Sequence, residues 1–313
     1  MKIYKDWFLI IIMNNTAKAL ASIIAAAALW ALSGVAAQAL FQIYNFPPFG
    51  LVTIRMLAAG SILYLWLRPK WPKRDILPML LFAAIGMMAA QLFYFLAIDK
   101  ANVTTGTLLE FLSVPMIFVY EVFKGHYDFT KLRGGALLLS MIGLILLVVG
   151  TITNVKLIIT PLAFAFGIAA ALTAAYQTIS AKSLVAKYNT WSVTTWGLLI
   201  GGLISVPFGV TSLVSAASIS SIPLIVIVLV LFVVLFGTLL AFGLYFRGVK
   251  HLTGTETEVT ANTEPIFAAL AGYLILGVSL TWVQYIGGAL IIISIIVLRT
   301  TAKDKKPLVQ IEY

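Results

Sequence analysis

Ten long apolar runs, nearly free of charge, constrain this chain more than any other feature. They fall at about 18–43, 48–67, 76–98, 103–124, 132–150, 158–181, 189–211, 222–246, 255–277 and 281–298, separated by Pro, Gly and charged residues. A helix that crosses a bilayer needs about 20 such residues, so ten spans use about 200 and leave short loops. Hydrophobic residues make up 61% of the chain and charged residues 10%, against roughly 45–50% and 25% in water-soluble domains. The pattern predicts an all-α integral membrane protein with ten transmembrane helices. It excludes a secreted enzyme, a nucleic-acid-binding domain and a disordered chain.

The formal net charge is +10, and the placement of the basic residues decides its meaning. Start the N-terminus in the cytoplasm and alternate sides at each span. The cytoplasmic segments then hold 18 of the 21 Lys and Arg residues, with Lys100 and Lys156 outside and Arg55 within a span. This is the positive-inside bias, with both termini cytoplasmic, and it leaves no role for nucleic acid. Residues 1–17 are read as a cytoplasmic N-terminal segment and 300–313 as a cytoplasmic basic tail. Lys2 and Lys5 before Trp7–Met13 look like the start of a signal peptide, but the apolar stretch is short and no small-residue cleavage site follows. Met13 is an alternative start. The chain has no cysteine, hence no disulfide and no thiolate metal site.

The two halves echo each other. Tyr94-Phe95-Leu96-Ala97 runs through Thr105-Gly106-Thr107 to Pro115, and Tyr245-Phe246-Arg247-Gly248 runs through Thr255-Glu256-Thr257 to Pro265. Gly134-Gly135-Ala136-Leu137 returns as Gly287-Gly288-Ala289-Leu290. The repeats occupy 18–150 and 158–299, five helices each, and an odd number inverts the second copy in the membrane. Two inverted five-helix repeats are a transporter architecture, with the binding site near the midplane where the repeats meet.

Several segments also resemble a known family. Leu29-Trp30-Ala31-Leu32-Ser33 is similar to the Trp-Gly-Ser entry of EamA-type members of the drug/metabolite transporter superfamily. Pro48 through Arg55-Met56-Leu57-Ala58-Ala59, Thr263-Glu264-Pro265 with its small residues, and Gly287-Gly288-Ala289 resemble that family's second, ninth and last helices. The chain departs from the pattern at Ala31, where Gly is usual. It departs again at Lys124-Gly125-His126 and Leu276-Gly277-Val278, where Leu-Gly-Glu is usual. No role of those two missing Glu residues carries over. The resemblance implies a ten-helix carrier of small metabolites, often amino acids, working by alternating access, with efflux as the expected direction.

Charges inside hydrocarbon cost at least about 2.5–3.5 kcal/mol each, so each needs a reason. Arg55 and Glu110 both lie about 10 Å from the outer ends of their helices at 1.5 Å per residue. Equal depth and opposite sign permit two readings: a salt bridge that fixes packing, or a pair that opens to hold a charged group of the solute. Gly106, Glu110 and Ser113 share one face of the fourth span, and Pro115 is expected to kink it by freeing the Phe111 carbonyl. In the ninth span Thr257, Thr260 and Glu264 share a face, and Pro265 is expected to free Ala261. A carboxylate beside each kink suits a cation or a proton; a hinge with a protonated Glu is the competing reading. Glu256 and Glu258 are assigned to the helix dipole, and Glu121 to a rim salt bridge near Lys124. His126 and His251 have no spacing partner, so no metal, cofactor or catalytic base is assigned.

Trp66, Trp71, Trp191 and Trp282 fit an interfacial aromatic belt. Trp30 differs, falling near the midplane with Ser33, Gly34 and Ala37 on its face. With Tyr94, Tyr176 and Gln177 it completes a candidate cavity able to hold an ammonium group by cation–π attraction, the alternative being ordinary packing. The candidate binding residues are thus Trp30, Ser33, Tyr94, Glu110, Ser113, Tyr176, Gln177 and Glu264, with Arg55 as charge partner. The expected partners are a small solute and the lipid bilayer, with a monomer favoured. Uptake of an organic cation is an alternative, as is, from another class, a lipid-modifying enzyme or flippase. No HExxH, acidic metal pair or Walker motif speaks for an enzyme or for ATP.

Overall fold

A computed structural model of the protein describes residues 15–151, 160–216, 223–276 and 280–301. Residues 1–14 and 302–313 lie outside the described residues, and with them most of the expected N-terminal segment and basic tail. The first repeat comprises α1 (Asn15–Gln42), α2 (Pro48–Leu67), α3 (Ile76–Lys100), α4 (Val103–Glu110), α5 (Ser113–Phe123) and α6 (Lys131–Thr151). The second comprises α7 (Pro161–Lys187), α8 (Thr190–Ala216), α9 (Leu224–Val249), α10 (Gly254–Ala261), α11 (Glu264–Leu276) and α12 (Trp282–Thr301).

Among the described residues, nine stretches are long and apolar enough to cross a membrane, with α4 and α5 counted as one. The expected tenth, α10 with α11, carries three glutamates and is divided. Each proline was expected to kink one helix; instead each fourth span of a repeat is broken into two. Phe111 and Leu112 separate α4 from α5, and the Phe111 carbonyl, expected to be free, accepts the Val114 N–H at 3.1 Å. Asn262 and Thr263 separate α10 from α11 in the same way. Pro115 and Pro265 sit in the first turn of the following helix, where a missing N–H costs nothing.

A second shared irregularity marks the repeat. The third span of each half is π-wound over one stretch, Phe82–Ala89 in α3 and Leu235–Leu240 in α9. Each stretch centres on a glycine pressed against the other repeat's first helix. A Cβ on Gly86 would lie 3.0 Å from Gln177 Cα in α7, and one on Gly237 would lie 2.0 Å from Ser33 Oγ in α1.

The first helices are exchanged between the halves. α1 packs on α9, α10 and α11, whereas α7 packs on α3, α4 and α5. Two outer pairs, α2 with α8 and α6 with α12, tie the repeats together. Small residues allow this approach: Gly143 and Gly287 face each other so closely that a Cβ on either would lie 2.6 Å from the other's carbonyl oxygen. Thr53 Oγ1 donates to Ser205 Oγ at 2.8 Å across the other pair. The two exchanged bundles, α1–α9–α10–α11 and α3–α4–α5–α7, therefore meet across the centre, supported from both sides.

Candidate functional site: a charged cavity between the two bundles

Where the bundles meet lies a small, partly open cavity. α1 contributes Trp30, Ser33 and Gly34; α2 contributes Arg55; α3 contributes Gln91, Tyr94 and Phe95. Glu110 and Phe111 come from the first break, Ala174 and Gln177 from α7, Tyr245 from α9, Glu258 and Ala261 from α10, and Glu264 from the start of α11. Of the residues singled out in the sequence, Trp30, Ser33, Arg55, Tyr94, Glu110, Gln177 and Glu264 are brought together here.

Ser113 and Tyr176 are not in the lining. Ser113 is fully buried behind it, its hydroxyl donating to Glu258 Oε2 at 3.4 Å. Ala174 and Gln177 are three residues apart and face the cavity, which turns Tyr176 away by one helical step. The helix breaks also overrule the continuous-helix faces. Thr257 and Thr260 do not join Glu264 in the lining; their hydroxyls bond back to the carbonyls of Thr253 and Glu256, at 2.8 and 2.6 Å.

Arg55 does not pair with Glu110. Among the described residues no carboxylate lies within 4.0 Å of it as an ion pair. Its guanidinium instead donates to the Gly237 carbonyl at 3.4 Å and sits over the Phe95 ring, 4.7 Å from the centroid. The π-wound turn around Gly237 is thus the backbone partner of the arginine. Arg55 Nε is buried and has no partner among the described residues. No side chain among them donates a hydrogen bond to Glu110, whose carboxylate adjoins the empty space.

Two buried acids have roles the sequence did not disclose. Glu258, assigned to the helix dipole, is only 6% exposed and lines the cavity. It accepts from Thr178 Oγ1 at 2.6 Å, from Ser113, and from the Tyr245 hydroxyl in a short contact. The repeat held the one available signal: Tyr245 stands where Tyr94 stands in the first half. Glu121, assigned to a rim salt bridge, is buried and caps α10. Its carboxylate accepts from Gly254 N at 2.7 Å, Thr255 N at 2.9 Å and Thr255 Oγ1 at 2.7 Å. Glu256 closes a capping box with Thr253 on the same turn and lies 3.7 Å from Arg299.

Trp30 forms the aromatic wall with Tyr245 and Phe242, at ring-centroid distances of 4.9 and 5.3 Å. Its indole N–H is buried and unpartnered among the described residues. At the α5–α10 end of the molecule, beyond the cavity, Asp75 joins Lys187 Nζ at 3.0 Å and the Tyr188 hydroxyl at 2.7 Å. These contacts, the tyrosine's first, hold the Asp75 carboxyl below its ordinary range. Burial and then the neighbouring Lys250 and Arg247 hold His251 below the usual histidine value. No group of three or more His, Cys, Asp or Glu among the described residues is arranged to hold a metal.

Residues 17–149 and 161–300 each match the EamA-like transporter family. The chain is 33% identical over 302 residues to an uncharacterized inner membrane transporter, YicL, of Salmonella typhimurium strain LT2, covering 94% of this chain and 99% of that one. It is 26% identical over 236 residues to an uncharacterized transporter of Archaeoglobus fulgidus, covering 72% and 76%. A crystal structure of a protein with 16% identity superposes with a TM-score of 0.73 over 91% of this chain and 97% of that one.

Proposed function

This chain belongs to the EamA-like transporter family, and from that premise we propose that it is a secondary carrier exporting a small amine-bearing metabolite, an amino acid or a close relative, by alternating access. It is a multi-pass membrane protein, and its relatives are described as transporters. In this reading it spans the cell membrane ten times, the broken α10–α11 segment being the ninth span. The two repeats are inverted, both termini are cytoplasmic, and the monomer is the working unit. It is a carrier and not an enzyme.

One observation carries the reading: a cavity at the junction of the two bundles is lined by Glu110, Glu258, Glu264 and Arg55 beside an aromatic wall. Glu110 and Glu264 receive the amine. Arg55, with an unsatisfied Nε–H, is the donor for a carboxylate. Trp30 and Tyr245 take the apolar part, and a desolvated cation against such rings gains about 2 kcal/mol. Ser33, Tyr94 and Gln177 complete the polar lining, while Ser113 acts from behind through Glu258. The helix breaks at Phe111–Leu112 and Asn262–Thr263 let these segments tilt without tearing a continuous helix.

A second reading rests on the count of charges. Three carboxylates face one guanidinium in the cavity, a balance that suits an organic cation without a carboxylate. Purified protein in vesicles separates the readings. Counterflow of labelled amino acids, tested against their decarboxylated amines, should favour the amino acids and should need Arg55. Exchange of amines alone, unaffected by Arg55→Leu, selects the cation reading. Vesicles that exchange neither class overturn both.

A further inference from the structure

The two breaks are alike in sequence position but not in packing. Every residue of α10 is buried, whereas α11 has no buried residue among those described between Pro265 and Ala271. α10 packs on α5 across the two bundles; among the described residues the pseudo-equivalent pair, α4 and α11 at the other end, makes no comparable contact. The first-helix contacts, by comparison, are repeated at both ends. Gln42 Nε2 donates to the Ala101 carbonyl, and Lys182 Nζ donates to the Leu252 carbonyl, at the same point of each half. At the other end α1 bridges the bundles, its Gln38 Oε1 accepting the Val103 N–H of α4 at 2.8 Å, whereas the α5–α10 end is shut by the direct contact of those two helices.

Glu121 makes that contact. Its two oxygens accept the first N–H groups of α10 and the Thr255 hydroxyl. These donors have no partner within their own helix, and a carboxylate there also meets the positive end of the helix dipole. The Pro115–Pro265 correspondence places Ala271 where Glu121 stands in the first repeat, so the α4 N-terminus meets no carboxylate from α11; the neutral amide of Gln38 accepts its Val103 N–H instead. We propose that Glu121 is the latch of a gate at the α5–α10 end, and that the lack of a counterpart at Ala271 makes the carrier rest with this end closed. The proposal rests on the alternating-access reading, in which the same end must open for the solute to pass. Opening it strips the α10 N-terminus of its carboxylate, so the latch sets how often that happens.

Because the chain has no cysteine, a single reporter can be placed without background. Ile117→Cys is suitable: Ile117 is buried and packs against Gly254 at the shut end. With a membrane-impermeant maleimide applied from the Arg247 side, this cysteine should react slowly. Adding Glu121→Ala should raise its rate at least about tenfold, since two or three charge-assisted hydrogen bonds are lost. An unchanged rate in Glu121→Ala protein that melts as a folded species overturns the proposal. Should that variant not fold, Ala271→Glu builds the mirror latch in an otherwise unchanged chain. It should slow labelling of Phe267→Cys from the opposite side by a similar factor, and an unchanged rate there overturns the proposal equally. Labelling needs no solute. A gate that responds in protein that moves nothing would refute the carrier reading and leave the latch standing.

Discussion

Glu110 and Arg55 show how much a few ångströms decide. Had they formed a buried salt bridge, neutralising one would strand the other, at about 3–5 kcal/mol. The guanidinium instead has the Gly237 carbonyl and the Phe95 ring as partners. Glu110→Gln should therefore change the melting temperature by no more than a surface substitution would, while lowering vesicle flux at least about tenfold if the carboxylate receives the amine. Arg55→Leu should behave differently: it removes one of the largest fully buried side chains and leaves the Gly237 carbonyl without that donor. A loss of about 1–3 kcal/mol in stability is expected for the unmet acceptor. If Glu110→Gln instead unfolds and the double change with Arg55→Leu refolds, the two are coupled structurally despite their separation. Equal sequence depth in the second and fourth spans was what made them a pair. Depth gives no azimuth, and the π-wound turn that supplies the arginine's true acceptor has no signature in a one-residue pattern.

At the scale of elements, the glycines that press the third span of each repeat against the other half's first helix are the sharpest test of packing. A Cβ on Gly237 would overlap Ser33 Oγ at 2.0 Å, and overpacking of that kind costs about 1–3 kcal/mol. Gly237→Ala should therefore lower thermal stability, and Ser33→Gly added to it should recover most of the loss; separate, additive losses would refute the contact. Asp75 tests the loops. Its carboxyl is held below the ordinary value by Tyr188 and Lys187. The bond it makes is therefore present above the unfolded carboxylate value and lost as pH falls through the lower folded one. The protection factors of amides around Asp75, which are rates corrected for intrinsic exchange at each pH, should hold at neutral pH and fall only in acid, whereas Asp75→Asn should abolish that dependence. Most span boundaries were legible because run length and charge set them; α2, for instance, was expected at 48–67 and is Pro48–Leu67. The helix breaks were legible only as prolines. Whether a proline kinks a helix or begins a new one depends on partners across the molecule, such as Ser140, which receives the Asn262 amide at 2.7 Å beside the second break. Glu258 was assigned to the helix dipole and not to the cavity for the same reason, since the break resets which face its helix presents.

For the whole molecule, orientation is the property on which every other assignment hangs. The proposed orientation rests on one argument: segments rich in Lys and Arg tend to stay in the cytoplasm. Arg68, Lys187, Lys250 and Arg299 all border the ends of helices that this alternation assigns to one side. Tyr44, between α1 and α2, lies at the opposite end. In intact cells, Tyr44→Cys should therefore react with an impermeant maleimide, while Lys70→Cys and Lys187→Cys should react only after the membrane is opened. The same labelling tests the inversion of the repeats. Lys70 follows the second span of the first half, and Lys187 follows the first span of the second half, so in a parallel repeat they would fall on opposite sides. Asp75 bonds directly to Lys187 and Tyr188, and two loops in contact cannot lie on opposite faces of a bilayer about 30 Å thick. Labelling of Lys187→Cys from outside with protection of Lys70→Cys would contradict that contact and the inverted architecture at once. Labelling of both from outside, with Tyr44→Cys protected, would keep the inversion and reverse the protein in the membrane. The latched end would then face outward, and a carrier resting closed to the outside would be poised to load its solute from the cytoplasm.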